Sequence, residues 1–153
     1  MPAPPTVLAI WRNLHLADVV ICQELNARLM AQAGCSLIEH DVLAWVSTAP
    51  AQRMRMADLA GLLRVTPGGL TRIVDRAVAR GWIERDRPES NRREVYAVLT
   101  DAGRRLLRAS NQAYVDSLTA TIAGQFDEAE LAALLMLSGK LLTALTAGDE
   151  QCS

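Results

Sequence analysis

Most of the usual signatures of chemistry are missing from this 153-residue chain. Cys22, Cys35 and Cys152 are odd in number and widely spaced, with no CxxC, which supports neither a disulfide framework nor a zinc ribbon. The two histidines, His15 and His40, stand far apart and outside any HExxH pattern, so no metal site is expected. A glycine-rich phosphate loop and a GxSxG elbow are both absent. These absences argue against an enzyme and against a bound cofactor. No apolar run approaches the ~20 residues needed to cross a bilayer. The opening MPAPPTVLAIWRNLHLADVV lacks the basic start and small-residue cleavage site of a secretory signal. A cytoplasmic protein with no membrane partner is expected.

What is present is a large apolar fraction, 50%, with 22% charged residues, enough for one compact domain or one domain with a helical appendage. The net charge of −1 conceals a strong asymmetry. Residues 53–108 hold thirteen arginines against Asp58, Asp75, Glu84, Asp86, Glu89, Glu94 and Asp101, a local +6, and the remainder carries −7. A basic middle between acidic ends fits a polyanion, because arginine's planar fork matches phosphate. Pairing within the chain, against the acidic ends, would account for the same charges.

Spacing organises the chain into helices and one hairpin. Leu14, Ala17, Ile21, Leu25 and Leu29 predict a first helix to about Ala33, stopped by Gly34. Pro2, Pro4 and Pro5 read as a non-helical lead-in, with Thr6 as cap. Ser36 and Glu39 form a capping box for a second helix that turns Val42, Trp45, Val46 and Ala49 inward and ends before Pro50. MADLAGLL, residues 56–63, predicts a third helix with Leu59, Leu62 and Leu63 apolar. Thr66-Pro67 opens a fourth, which runs to Arg80 and is ended by Gly81. So tight a pair is a helix-turn-helix.

The period then changes. Residues 82–85 and 92–99 read as strands around the breakers Pro88, Ser90 and Asn91. A hairpin directly after a helix-turn-helix is a winged helix. Thr100 caps a fifth helix through Leu107, Ser110, Tyr114, Leu118 and Ile122. Asp127 and Glu130 start a sixth, with Leu131, Leu134, Leu135, Ser138, Leu141, Leu142 and Leu145 on one face. The expected fold is mainly α with a small β-hairpin wing.

In TPGGLTRIVDRAVARG the apolar stripe is Leu70, Ile73, Val74, Ala77 and Val78, leaving Arg72, Asp75, Arg76 and Arg80 outward. Gly68 and Gly69 cost roughly 1 kcal/mol each against alanine in a helix. A backbone that must approach another surface would justify them, and a bare helix start fits a major groove. Thr66, Pro67, Gly68, Gly69, Thr71, Arg72 and Arg76 are therefore candidate DNA contacts. Arg87, Arg92 and Arg93 on the hairpin would reach the flanking minor groove, where arginine is favoured.

The run MADLAGLLRVTPGGLTRIVDRAVARGWIERD, continued by NRREVYAVLTDAG, resembles the MarR family of bacterial winged-helix regulators. TRIVDR, RGWIER, the pair Arg92-Arg93 and LTDAG carry the resemblance, and the order of elements extends it over nearly the whole chain. The family commonly has aspartate before the arginine pair, where this chain has Asn91, and a larger leucine at Ala77. The wing would then be braced by Glu89, Glu94 or Asp75, or be looser. The resemblance implies a homodimer on a pseudo-palindromic operator, its recognition helices ~34 Å apart. The long apolar faces of the first, fifth and sixth helices agree, since a small winged domain could not cover them alone. Residues 1–35 and 101–153 are thus read as a dimerisation region and 36–100 as the DNA-binding domain.

The resemblance also implies a small aromatic or anionic ligand, or an oxidant, at the junction of the two regions. Trp11, Arg12, His15, His40, Trp45 and Met54 are candidates to line its site, each with a plain reading as core or solvated surface. Cys35, just before a helix start, is better placed than Cys22 to hold a thiolate. The function read from the sequence is a dimeric transcriptional repressor released by a small molecule. The alternatives are a winged-helix protein-interaction module without DNA binding, and a small enzyme or carrier for which no catalytic constellation is found.

Overall fold

A computed structural model describes residues 4–89, 91 and 93–147. Arg92, one of the expected DNA contacts, lies outside the described residues, as do Pro2, Ser90 and Cys152. The chain divides into two compact units, Met1–Ser117 and Leu118–Ser153.

The first unit opens with α1, Pro4–Ala33, ended by Gly34 at φ +70. Pro4 and Pro5, expected to precede the helix, begin it instead, because the first turn needs no amide donor and proline's φ is already helical. Helix α2, Leu37–Thr48, has the expected capping box between Ser36 and Glu39. A short turn at Pro50–Gln52, with Ala51 and Gln52 both at positive φ, leads into strand β1, Arg53–Arg55. Helix α3, Met56–Leu63, and helix α4, Pro67–Ala79, form the helix-turn-helix, with Arg64 left-handed between them. Gly81, at φ +72, then turns the chain into β2, Ile83–Asp86.

Strand β3, Tyr96–Leu99, pairs with both others in the order β1-β3-β2, antiparallel throughout. The wing is therefore a hairpin on a three-stranded sheet rather than a hairpin alone. Its returning strand begins at Tyr96, not at residue 92. Helix α5, Asp101–Thr121, follows, with Thr100 Oγ1 accepting from the Gly103 amide at 3.0 Å. Ile122, expected inside it, falls just beyond.

One core unites these elements: Val42, Leu43, Val46, Leu59, Leu70, Val74, Ala77, Ile83, Ala97, Leu99 and Leu107. Each fully buried aliphatic side chain contributes roughly 1.5–3 kcal/mol, so α4 is held firmly by Leu70, Val74 and Ala77. Trp45, Leu62 and Val78, expected inward, are exposed, while Leu43 takes the inward place beside Val42. A second cluster of Leu29, Cys35 and Ala113 joins α1, the α2 entry and α5.

In the second unit, α6, Glu128–Thr146, starts from a capping box between Asp127 and Glu130 and buries none of its residues. Its 19 residues have a mean hydropathy of 1.4, long and apolar enough by composition to cross a bilayer. Polar interruptions such as Ser138 and Lys140 hide this from a search for an unbroken apolar run.

Candidate nucleic-acid interface

Helix α4 is anchored on one face and bare on the other. Thr66 Oγ1 accepts from the Gly69 amide at 3.1 Å, and Pro67 occupies the first helical position. A methyl group added at Gly68 would meet nothing within 4 Å, so packing within the chain does not require glycine there. At Gly69 the same methyl would lie 3.1 Å from Thr66 Oγ1. Thr71 is exposed, its hydroxyl donating to the Pro67 carbonyl at 2.9 Å. Arg72, one residue on, is exposed.

The arginines of the basic segment sort into paired and unpaired groups. Arg85 bonds Asp75 at 2.6 Å and the Thr71 carbonyl at 3.3 Å, tying β2 to α4. Arg53 bonds Asp86 at 2.7 Å. Arg55 bonds Asp58 at 2.8 Å and Glu94 at 3.3 Å. Arg104 pairs with Asp101 and also donates to Gln52 at 2.5 Å. Arg80 donates to the Gly34 carbonyl at 2.7 Å and lies over the Trp82 ring. Among the described residues no ion pair or side-chain hydrogen bond engages the guanidinium groups of Arg64, Arg72, Arg87, Arg93, Arg105 or Arg108, and of these Arg72, Arg87 and Arg93 lie on α4 and the wing. The pairing within the chain is thus real, but its acids lie chiefly inside the basic segment rather than at the acidic ends.

Arg76, expected among the outward contacts, donates from Nε to Glu39 Oε1 at 3.3 Å while its side chain stays half exposed. Glu39 is buried and also accepts from the Ser36 amide at 2.9 Å. Burial pushes its pKa up, but the bonds from Ser36 and Arg76 outweigh that and leave it below the ordinary value. The Ser36–Glu39 box thus serves twice, capping α2 and fixing α4 through Arg76.

Two of the three acids expected as braces for the tip arginines, Asp75 and Glu94, hold other arginines. Asp75 is taken by Arg85, and Glu94 by Arg55 and the Tyr96 hydroxyl, which donates at 2.7 Å. That hydroxyl is the main influence holding the Glu94 pKa down; desolvation opposes it, and Arg55 adds to the lowering. Asn91 Oδ1 instead accepts from the Arg93 amide at 3.3 Å. Reading the sequence for basic residues missed these braces. Their signal was the alternation Arg53, Arg55 opposite Asp86, Glu94 and Tyr96, legible only once β1 is known to be a strand.

A hollow of about 290 Å³ lies between the starts of α3 and α4 and the returning limb of the wing, with Pro67, Thr71 and Arg93 on its wall. A smaller one of about 180 Å³ is lined by Met56, Thr71, Arg85, Arg87 and Val95. A third, shallow cleft of about 480 Å³ separates α1 from α2 beside Cys22, Asn26 and Asp41. None of the six residues expected to line a ligand site borders these three. Trp11 and His15 stack on each other at 5.7 Å on the exposed side of α1, beside Arg12. Trp45 is exposed on α2, and Met54 is half buried against the core. His40 is buried, stacked on Tyr114 at 4.7 Å, with Nδ1 2.8 Å from Ser110 Oγ. Burial holds its pKa below the usual value.

Neither described cysteine has thiolate character. Cys35 is fully buried, and burial pushes its pKa up despite the helix start nearby. Cys22 is raised by burial and by Asp18.

Comparison with known proteins places this geometry. Residues 33–94 match the sequence model of the MarR family. No curated protein matches the chain. Among solved structures it is similar to Sco3205 of Streptomyces coelicolor, a MarR family transcriptional regulator in complex with DNA, at 23% identity and a TM-score of 0.83, covering 95% of this chain and 91% of that one. It is also similar to a mutant MarR from E. coli complexed with operator DNA, at 25% identity and 0.79, covering 93% and 99%. BldR of Sulfolobus solfataricus, a transcriptional regulator, matches at 24% identity and 0.80, covering 94% and 99%.

Proposed function

From the match of residues 33–94 to the MarR family model we propose that this protein is a homodimeric, sequence-specific DNA-binding transcriptional repressor released by a small ligand. The observation that carries the reading is the bare, exposed first turn of α4 beside three arginines, Arg72, Arg87 and Arg93, that are left unpaired among the described residues while their neighbours are neutralised. Thr66, Pro67, Gly68 and Gly69 let the helix start sink into a major groove, with Thr71 and Arg72 at base edges. The wing carries Arg87, Arg92 and Arg93 to the flanking minor groove. Arg76 fixes the helix through Glu39 and offers its remaining donors to the backbone. The two DNA-bound neighbours support this assignment.

Residues 1–35 and 101–153 form the dimerisation region and 36–100 the DNA-binding domain. Exposed apolar side chains on α1 (Val7, Leu8, Ile10, Trp11) and α6 (Leu135, Met136, Leu142, Leu145) are the surface such an assembly would cover. A dimer seam suits α6 better than a bilayer, because Lys140 inside it would cost roughly 2.5–3.5 kcal/mol in lipid. A small aromatic or anionic ligand would act where the two regions meet, near Trp11, Arg12, His15, His40, Trp45 and Met54. The regulator works in the cytoplasm.

Selection from a genomic fragment pool at two salt concentrations tests the reading. An enriched inverted repeat, bound less tightly as salt rises, is expected. No enrichment and no salt dependence would replace it with a winged-helix protein-interaction module.

A further inference from the structure

Arg53 sits at the base of the wing and grips both of its strands. Its Nη2 lies 2.7 Å from Asp86 Oδ2, and its guanidinium carbon is 3.7 Å from the centre of the Tyr96 ring. Asp86 and Tyr96 face each other as the last rung of the β2–β3 ladder. One guanidinium therefore clamps the two strands where the loop leaves them. Arg55, opposite Tyr96 on β1, holds the returning limb through Glu94, whose other oxygen takes the Tyr96 hydroxyl. The Val95 carbonyl accepts from the Met56 amide at 2.9 Å. Both limbs of the wing are thus held from β1.

The clamp is not what stability alone would select. Arg53 Nε is buried without a hydrogen-bond partner, an uncompensated desolvation that an apolar side chain would avoid. Its charge is answered by Asp86 and its flat face by the Tyr96 ring, so little of it is left for an outside anion. Arg87 directly follows Asp86, and any tilt of that rung is passed straight to it.

Resting on the DNA-binding reading, we propose that Arg53 is a positioning residue for DNA binding. By clamping Asp86 to Tyr96 it sets the angle at which the wing presents Arg87 and Arg93, without touching nucleic acid itself.

Arg53→Met keeps the aliphatic stem and removes the clamp. The variant is expected to melt within a few degrees of wild type, to exchange amide hydrogens faster across residues 87–95, and to bind the selected operator about tenfold more weakly. Protection of the flanking minor groove should fade while protection under α4 persists. In a background lacking both delivered arginines, Arg87→Ala with Arg93→Ala, the further loss should vanish, because the wing then has no arginine left to deliver. Arg53→Lys, which keeps the charge toward Asp86 but not the ring contact, should recover part of the affinity. If Arg53→Met fails to fold, Asp86→Asn opens the same clamp from the other side. Unchanged wing exchange and flank protection, or an equal loss in both backgrounds, would overturn the proposal. A wild-type chain without salt-dependent DNA binding would instead bring down the DNA-binding reading, and this inference with it.

Discussion

Replacing Gly68 by alanine should make the protein more stable and less able to bind DNA. Gly68 is the second residue of α4, is exposed, and has helical φ/ψ with open space where a Cβ would stand. Alanine there gains helix propensity, up to about 1 kcal/mol, partly by restricting the unfolded chain. A first-turn position lowers that toward about 0.5 kcal/mol, because the local amides are not all tied into the helix. For a chain of this size such a gain raises Tm by roughly 1–4 °C. On DNA, the new methyl would stand between the helix start and the groove. A tenfold loss of affinity, about 1.4 kcal/mol, is expected. Thermal melts and anisotropy titrations on one operator duplex measure the two effects. Gly69→Ala is the control: its methyl crowds the Thr66 hydroxyl at 3.1 Å, so it should gain no stability. A Gly68→Ala protein that is stabilised yet binds DNA like wild type would refute the idea that this turn is bare for the sake of a groove.

Three further expectations concern charge, packing and pH. If Arg72, Arg76, Arg87 and Arg93 of each protomer displace counterions, with or without Arg92, log K against log[salt] should fall with a slope of about −7 to −9 for the proposed dimer. A much steeper slope would mean that further arginines reach the DNA, either the unpaired Arg64, Arg105 and Arg108 or the acid-bound Arg53, Arg55 and Arg85. Gly103→Ala should destabilise by about 1–3 kcal/mol, because its Cβ would lie 2.2 Å from the Trp82 backbone oxygen, which cannot swing aside; a thermal melt equal to wild type would contradict that packing. His40, buried and held below its usual pKa, binds fewer protons folded than unfolded. Its contribution is complete above about 6.5 and is lost as pH falls toward the lower folded value. Urea midpoints should therefore drop between neutral pH and pH 5, and less so in His40→Gln; parallel pH profiles would remove His40 as a cause.

Local chemistry in the sequence foretold the helices well. Ser36 with Glu39, Asp127 with Glu130, and Thr66 with Pro67 each name a helix start through groups only a few residues apart, and all three caps are observed. Gly34 and Gly81 mark turns for the same reason. What escaped depends on distant partners. Strand β1 is three residues long and is defined only by its pairing with β3, over forty positions later. The left-handed pair Ala51 and Gln52 has no glycine to announce it, and Gln52 is met by Arg104 from α5. The arginines looked alike as letters. Only the fold separates Arg85, spent on Asp75 and the α4 backbone, from Arg87 two residues later. Trp45 shows the converse error: its apolar ring fits the inward stripe of α2, yet Leu43 and Val46 fill the core and leave it outside.

Adjacent residues of α2 reach opposite ways. Glu39 holds Arg76 on α4, and His40 holds Ser110 and Tyr114 on α5. The two attachments are one peptide unit apart on a single helix. A twist of α5 that moved His40 would therefore also load the Glu39–Arg76 contact on α4. There is almost no slack between those attachments in which such a torque could be absorbed.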